Sequence, residues 1–90
     1  MTKKQAAIAA FGDSQDAARA AGKQLERSAT QANVDLWHEA CALRNALERE
    51  ARTLGATDED LERERIRRWE ARTGCKWGTG ANPVPKRGFR

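Results

Sequence analysis

Ninety residues carry 17 Lys and Arg against 13 Asp and Glu, a formal charge of +4, which sets the scale of a single domain. Seventeen of the hydrophobic residues are Ala, whereas Ile, Val, Leu and Phe number only 12, so a large self-sufficient core is excluded. No apolar run approaches the ~20 residues of a membrane span and no apolar signal segment follows Met1, so the chain reads as soluble, unexported and cytoplasmic, with no membrane partner.

Thr2 with Gln5 forms a capping-box pattern for a short Ala-rich N-terminal helical turn, which Gly12 is expected to end and Asp13 or Ser14 to restart. Strong helix formers fill residues 15–29. Ser28, Thr30 and Asn33 then offer caps for a new helix, running from about Val34 to Leu54 and stopped by Gly55 as a left-handed C′ residue. Thr57 with Asp60 opens a third helix that ends at Gly74. No β-branched alternation marks a strand. The predicted class is all-α, a small three-helix bundle or a helical hairpin plus a third helix, with a helical domain over 1–74 and a non-helical tail over 75–90.

At 100° per residue, Leu36, Ala40, Leu43, Leu47, Ala51 and Leu54 fall within about 80° of one another, with Trp37 and Cys41 on one flank. This arc is the expected buried face of the middle helix. Phe11, Ala18, Leu25 and Ala32 continue nearly the same line at heptad spacing. Two architectures fit: an antiparallel hairpin that breaks near 28–33, or one long helix over 14–54 that self-associates through a Leu/Ala seam as a homodimer. Gly22 and the cap-rich run favour the hairpin. On the third helix Leu61, Ile66 and Trp69 form a thin stripe, expected to pack across the Leu43, Leu47 and Leu54 end of the middle helix. Its acids come early and its arginines late, which complements the helix dipole, and Glu59 with Arg63 and Glu64 with Arg68 are spaced i,i+4.

Positive charge is concentrated at one end. Residues 1–73 carry 13 basic and 13 acidic side chains, whereas 74–90 carry 4 basic and no acidic ones. The tail combines Lys76, Lys86, Arg87 and Arg90, which suit phosphates or carboxylates, with Trp77 and Phe89, which suit stacking. Together with Arg67, Arg68 and Arg72 these form a candidate partner-binding surface. Pro83-Val84-Pro85-Lys86 reads as a stiff spacer rather than a groove ligand.

Chemistry beyond binding finds little footing. His38, Cys41 and Cys75 offer three of zinc's four usual ligands, but no second paired motif completes a set, and the two cysteines read as free thiols in a reducing compartment. One His, no Tyr and no Gly-framed nucleophile leave nothing to divide among acid, base and nucleophile, so no enzyme and no cofactor are expected. Gly78-Thr79-Gly80 lacks the Lys and preceding strand of a phosphate loop. Ala51, Leu54, Gly55, Ala56 and Leu61 resemble the small, turn and apolar positions of a helix-turn-helix over residues 47–69. The resemblance fails where Asp58, Glu59 and Asp60 would meet DNA, and where Glu64 stands at a normally apolar position.

The expected function is a non-catalytic helical module that binds and modulates a larger protein or nucleoprotein, as adaptor, assembly factor or inhibitor. The alternative is a DNA- or RNA-binding regulator working through the tail and the Arg-rich end of the third helix. Arg outnumbers Lys 12 to 5, a bias that GC-rich coding produces and that points to a bacterial chain or one of its mobile elements.

Overall fold

The structure, a computed structural model, describes residues 1–77. Three helices account for it: α1 (Lys3–Arg27), α2 (Gln31–Thr53) and α3 (Asp58–Thr73). Each start is capped by a threonine. The Thr2 hydroxyl accepts from the Gln5 N–H at 3.0 Å while the Gln5 side chain accepts from the Thr2 N–H at 2.9 Å. Thr57 and Asp60 exchange the same pair of bonds at 3.1 and 3.0 Å. At α2 the Thr30 hydroxyl accepts from the Asn33 N–H, and the Asn33 amide donates back to the Ser28 carbonyl at 2.7 Å, closing the turn between α1 and α2. Gly55 (φ 104°) and Gly74 (φ 77°) stand in the left-handed region where a side chain would be strained, and they end α2 and α3.

α1 does not stop at Gly12. It runs unbroken for 25 residues, and Ser14, expected to restart a helix, is buried with its hydroxyl donating to the Phe11 carbonyl at 2.7 Å. The cause is tertiary. A Cβ on Gly12 would lie 2.2 Å from Arg68 Nε and 2.6 Å from Glu64 Oε2, so the missing side chain is the space in which α3 crosses α1. The helix tolerates the roughly 1 kcal/mol propensity cost of glycine because the crossing repays it.

α1 and α2 form the antiparallel hairpin, and α3 packs against α1 rather than α2, so the expected seat on the Leu43, Leu47 and Leu54 end is corrected. Phe11 explains the choice. It is 2% exposed and clusters with Ala7, Ala51, Ala56 and Leu61, flanked by Ile8 and Leu47. It is the one large ring in that cluster, and α3 must reach it through Leu61.

The buried face of α2 is also rotated from the expected arc. Ala51 is fully buried and Leu47 half-buried, but Leu36 and Leu43 are 55% and 54% exposed. Half-buried Val34, Cys41, Arg44 and Glu48 line the inward side instead. Small residues set this rotation: Ala18 is buried on α1, and a Cβ on Gly22 would come within 3.4 Å of the Trp37 indole. Trp37, 37% exposed, lies over Gly22 and lines an open groove between the two helices with Ala18, Cys41 and Arg44. The result is a thin plate of 37 × 36 × 17 Å. No helix of the described residues is long and apolar enough to cross a membrane.

Candidate interaction surfaces

The last turn of α3 gathers the described part of the predicted surface. Trp69, half-buried, meets Trp77 edge to face with ring centroids 5.3 Å apart, a favoured aromatic geometry. The chain turns back after Gly74 because the Trp77 N–H donates to the Glu70 carboxylate at 2.8 Å. Trp77 remains 48% exposed. Beside it a shallow cleft of about 290 Å³ is lined by Ile66, Trp69, Trp77, the predicted Arg68 and Arg72 and, from α1, Gln15 and Arg19. Among the described residues Arg19 and Arg72 make no ion pair or side-chain hydrogen bond, so two guanidinium groups border an exposed indole with their donors available.

The neighbouring arginines are differently placed. Arg68 lies inside the α1–α3 crossing: its guanidinium donates to Glu64 at 2.6 Å, to Asp16 at 2.7 Å and to the Ala9 carbonyl at 3.2 Å, and pairs with Asp13 at 3.0 Å. Burial opposes its charge, but the bonds to Glu64, Asp16 and Asp13 outweigh it and hold its pKa above the ordinary value. Glu64 is only 8% exposed. Burial pushes its carboxyl up, yet hydrogen bonds from Arg67 and Arg68 prevail and bring it below the usual range. This explains an acid at a position where a helix-turn-helix buries an apolar residue: Glu64 bridges two arginines. Arg67 is largely exposed but engaged by Glu64 at 2.7 Å. Lys76 sits on the exposed stretch before Trp77. Lys86, Arg87, Phe89 and Arg90 lie outside the described residues, as do the Gly78-Thr79-Gly80 and Pro83-Pro85 segments.

Arg19 was not legible as part of this surface, since only the crossing of α1 by α3 brings it beside Arg72. A second surface lies where the hydrophobic periodicity predicts core. Leu36, Leu43 and Leu54 stand exposed on one side of the hairpin, and Leu54 shares a shallow depression with Ala6, Ala10, Lys3 and Glu50.

Elsewhere the described residues hold little chemistry. His38 is exposed against the Trp37 ring, at 5.4 Å between centroids. Cys41 is half-buried on α2 and Cys75 exposed after α3, and no group of three His, Cys, Asp or Glu side chains is arranged to hold a metal ion among the described residues. No protein-family model matches this chain, and no curated protein or solved structure is significantly similar to it.

Proposed function

We propose that this chain is a non-catalytic helical interaction protein that docks on a larger protein or nucleoprotein assembly and modulates it, acting in a reducing cytoplasm where Cys41 and Cys75 stay as thiols. One observation carries the reading: Arg19 and Arg72, without ion-pair partners in the described residues, border the half-exposed Trp77 at the α3 end. Trp and Arg are the residue types that dominate binding hot spots. A partner presenting a carboxylate-bearing loop or helix fits this chemistry, with the indole as anchor and the guanidinium groups as forks.

Nucleic acid is the second reading, favoured by the same indole between arginines and by the acid-free residues 74–90. Against it, Glu62 and Asp16 line the same cleft and Glu70 holds Trp77, so the field there is mixed in sign. Size-exclusion chromatography with light scattering, with and without nuclease and across a salt step, separates the two. A particle free of nucleic acid, whose protein partner is released by Trp77→Ala or Arg72→Ala, is expected. Co-eluting nucleic acid that falls away log-linearly with salt would replace the protein reading by the nucleic-acid one.

A further inference from the structure

The second surface leads to an inference independent of the α3 cleft. On one flat side of the hairpin, Leu36, Leu43 and Leu54 of α2 form a ridge. Alongside runs a trough floored by Ala6, Ala10 and Ala17 of α1. Leu54, Ala6 and Ala10 line one depression, and at 100° per residue the other three side chains fall on the same side of their helices. α3 leaves this side open. It meets α1 along the opposite flank and outer edge, through the Lys4 to Asp60 ion pair at 3.5 Å and the Arg68 bonds to Asp16 and the Ala9 carbonyl.

We infer that this side is the interface of a two-fold dimer of the chain, with each leucine ridge seated in the alanine trough of the other copy. The surface is self-complementary, as an isologous interface requires. A two-fold axis parallel to the helices lays α1 of each copy antiparallel over α2 of the other and produces a four-helix bundle.

Charge selects that axis over the perpendicular one. The outer rim of α2 carries Asp35, Glu39 and Glu50, whereas the outer rim of α1 carries Arg27 and Asp13, and Lys3 stands on the α2 side of the trough, level with Glu50. Lys3, Arg27, Glu39 and Glu50 make no ion pair within the described residues. With α1 over α2, Arg27 comes opposite Asp35. With α2 over α2, three acids face three acids.

The area is sufficient. Helices of this length span about 35 Å, and two side by side are about 20 Å across, which offers about 700 Å² per copy against the ~800 Å² per partner of a standard interface. The interface also covers the leucines that the thin plate leaves in water.

Sedimentation equilibrium on the 90-residue chain tests this. The expected mass is twice the 10.0 kDa of the chain. Leu36→Glu with Leu43→Glu should halve it while leaving the helical circular dichroism intact, because neither side chain belongs to the intramolecular core. Arg27→Glu should weaken dimerisation several-fold, and adding Asp35→Lys should restore it. A monomer at about 100 μM, above the dissociation constants typical of standard-size interfaces, would overturn the proposal. So would a dimer indifferent to the two glutamates. Trp77→Ala should leave the mass unchanged, so failure of the partner reading and failure of the dimer are read separately.

Discussion

Replacing Gly12 by alanine tests the reasoning about the helix crossing most directly, because two effects of opposite sign meet at one atom. In a free helix the change stabilises by about 1 kcal/mol. Here the new methyl would lie 2.2 Å from Arg68 Nε and 2.7 Å from its Cζ, so the guanidinium must leave. Its departure breaks the bond to Glu64 at 2.6 Å and the bond to the Ala9 carbonyl at 3.2 Å. Such charge-assisted bonds contribute roughly 1.5 kcal/mol each at the low end of their range. The contacts to Asp13 and Asp16 are left out of this estimate, because those carboxylates are 77% and 46% exposed and screened by solvent. The net expectation is a loss of about 2 kcal/mol, or roughly 10 °C in Tm for a domain of this size. Urea and thermal melts followed at 222 nm, at one fixed protein concentration, measure it. In an Arg68→Ala background the same Gly12→Ala change should cost far less, or stabilise by up to about 1 kcal/mol, since only the Glu64 carboxylate at 2.6 Å then has to swing aside. If Gly12→Ala has the same effect in the otherwise unaltered chain as in that background, Arg68 does not occupy the glycine's space and the account of the crossing is wrong.

The remaining expectations concern the same core and its caps. Glu64 has a folded pKa below its ordinary 4.5, so its contribution is complete above that value and disappears as pH falls through the lower folded one. Glu64→Gln should therefore cost stability at pH 7, and its deficit should shrink as pH falls below 4.5; a deficit independent of pH would show that the charge is not what matters. Phe11→Ala should cost about 3–5 kcal/mol and leave α3 undocked, read as loss of the near-ultraviolet dichroism of Trp69 with retention of hairpin helicity. Thr57→Ala should cost about 1 kcal/mol by removing the cap of α3, checked by chemical denaturation. Trp77→Ala should lower stability by no more than about 1 kcal/mol, the scale of one edge-to-face pair, and a larger loss in the same melt would place Trp77 in the core.

Local signals were legible and tertiary ones were not. Thr2 with Gln5, Thr57 with Asp60, Gly55 and Gly74 all stand where capping chemistry placed them, because each involves residues within one turn of one another. The hairpin break followed from the same chemistry at Ser28, Thr30 and Asn33, although α2 begins at Gln31 rather than near Val34. Gly12 misled because a glycine that ends a helix and one that admits a neighbouring helix are alike in sequence. The face of α2 misled for a related reason. Hydrophobic periodicity finds the most apolar arc, Leu36 to Leu54, but in this Ala-rich pair the buried contacts are made by the small residues Ala18 and Ala51. The exposed leucines make sense only once a second covering surface is supplied. Of the predicted partner-binding residues, Trp77, Arg72 and Arg68 line one cleft, but no local signal shows that Arg68 is held there by Asp13 and Asp16, which lie 52 or more residues away in the chain.

The attachment of α3 has a dynamic consequence. Its hold on the rest of the molecule is confined to Leu61 against Phe11, the Arg68 cluster at Gly12 and a few ion pairs, whereas α1 and α2 run beside each other along most of their length. Amide hydrogens of α3 should thus exchange with solvent through a local detachment that leaves the hairpin formed, at an opening free energy below that of the hairpin amides. Self-association through the leucine side would widen that gap, slowing exchange in the hairpin while leaving α3 as free to open as before. The end that carries Trp77 would then be the part of the protein most readily reshaped by whatever it meets.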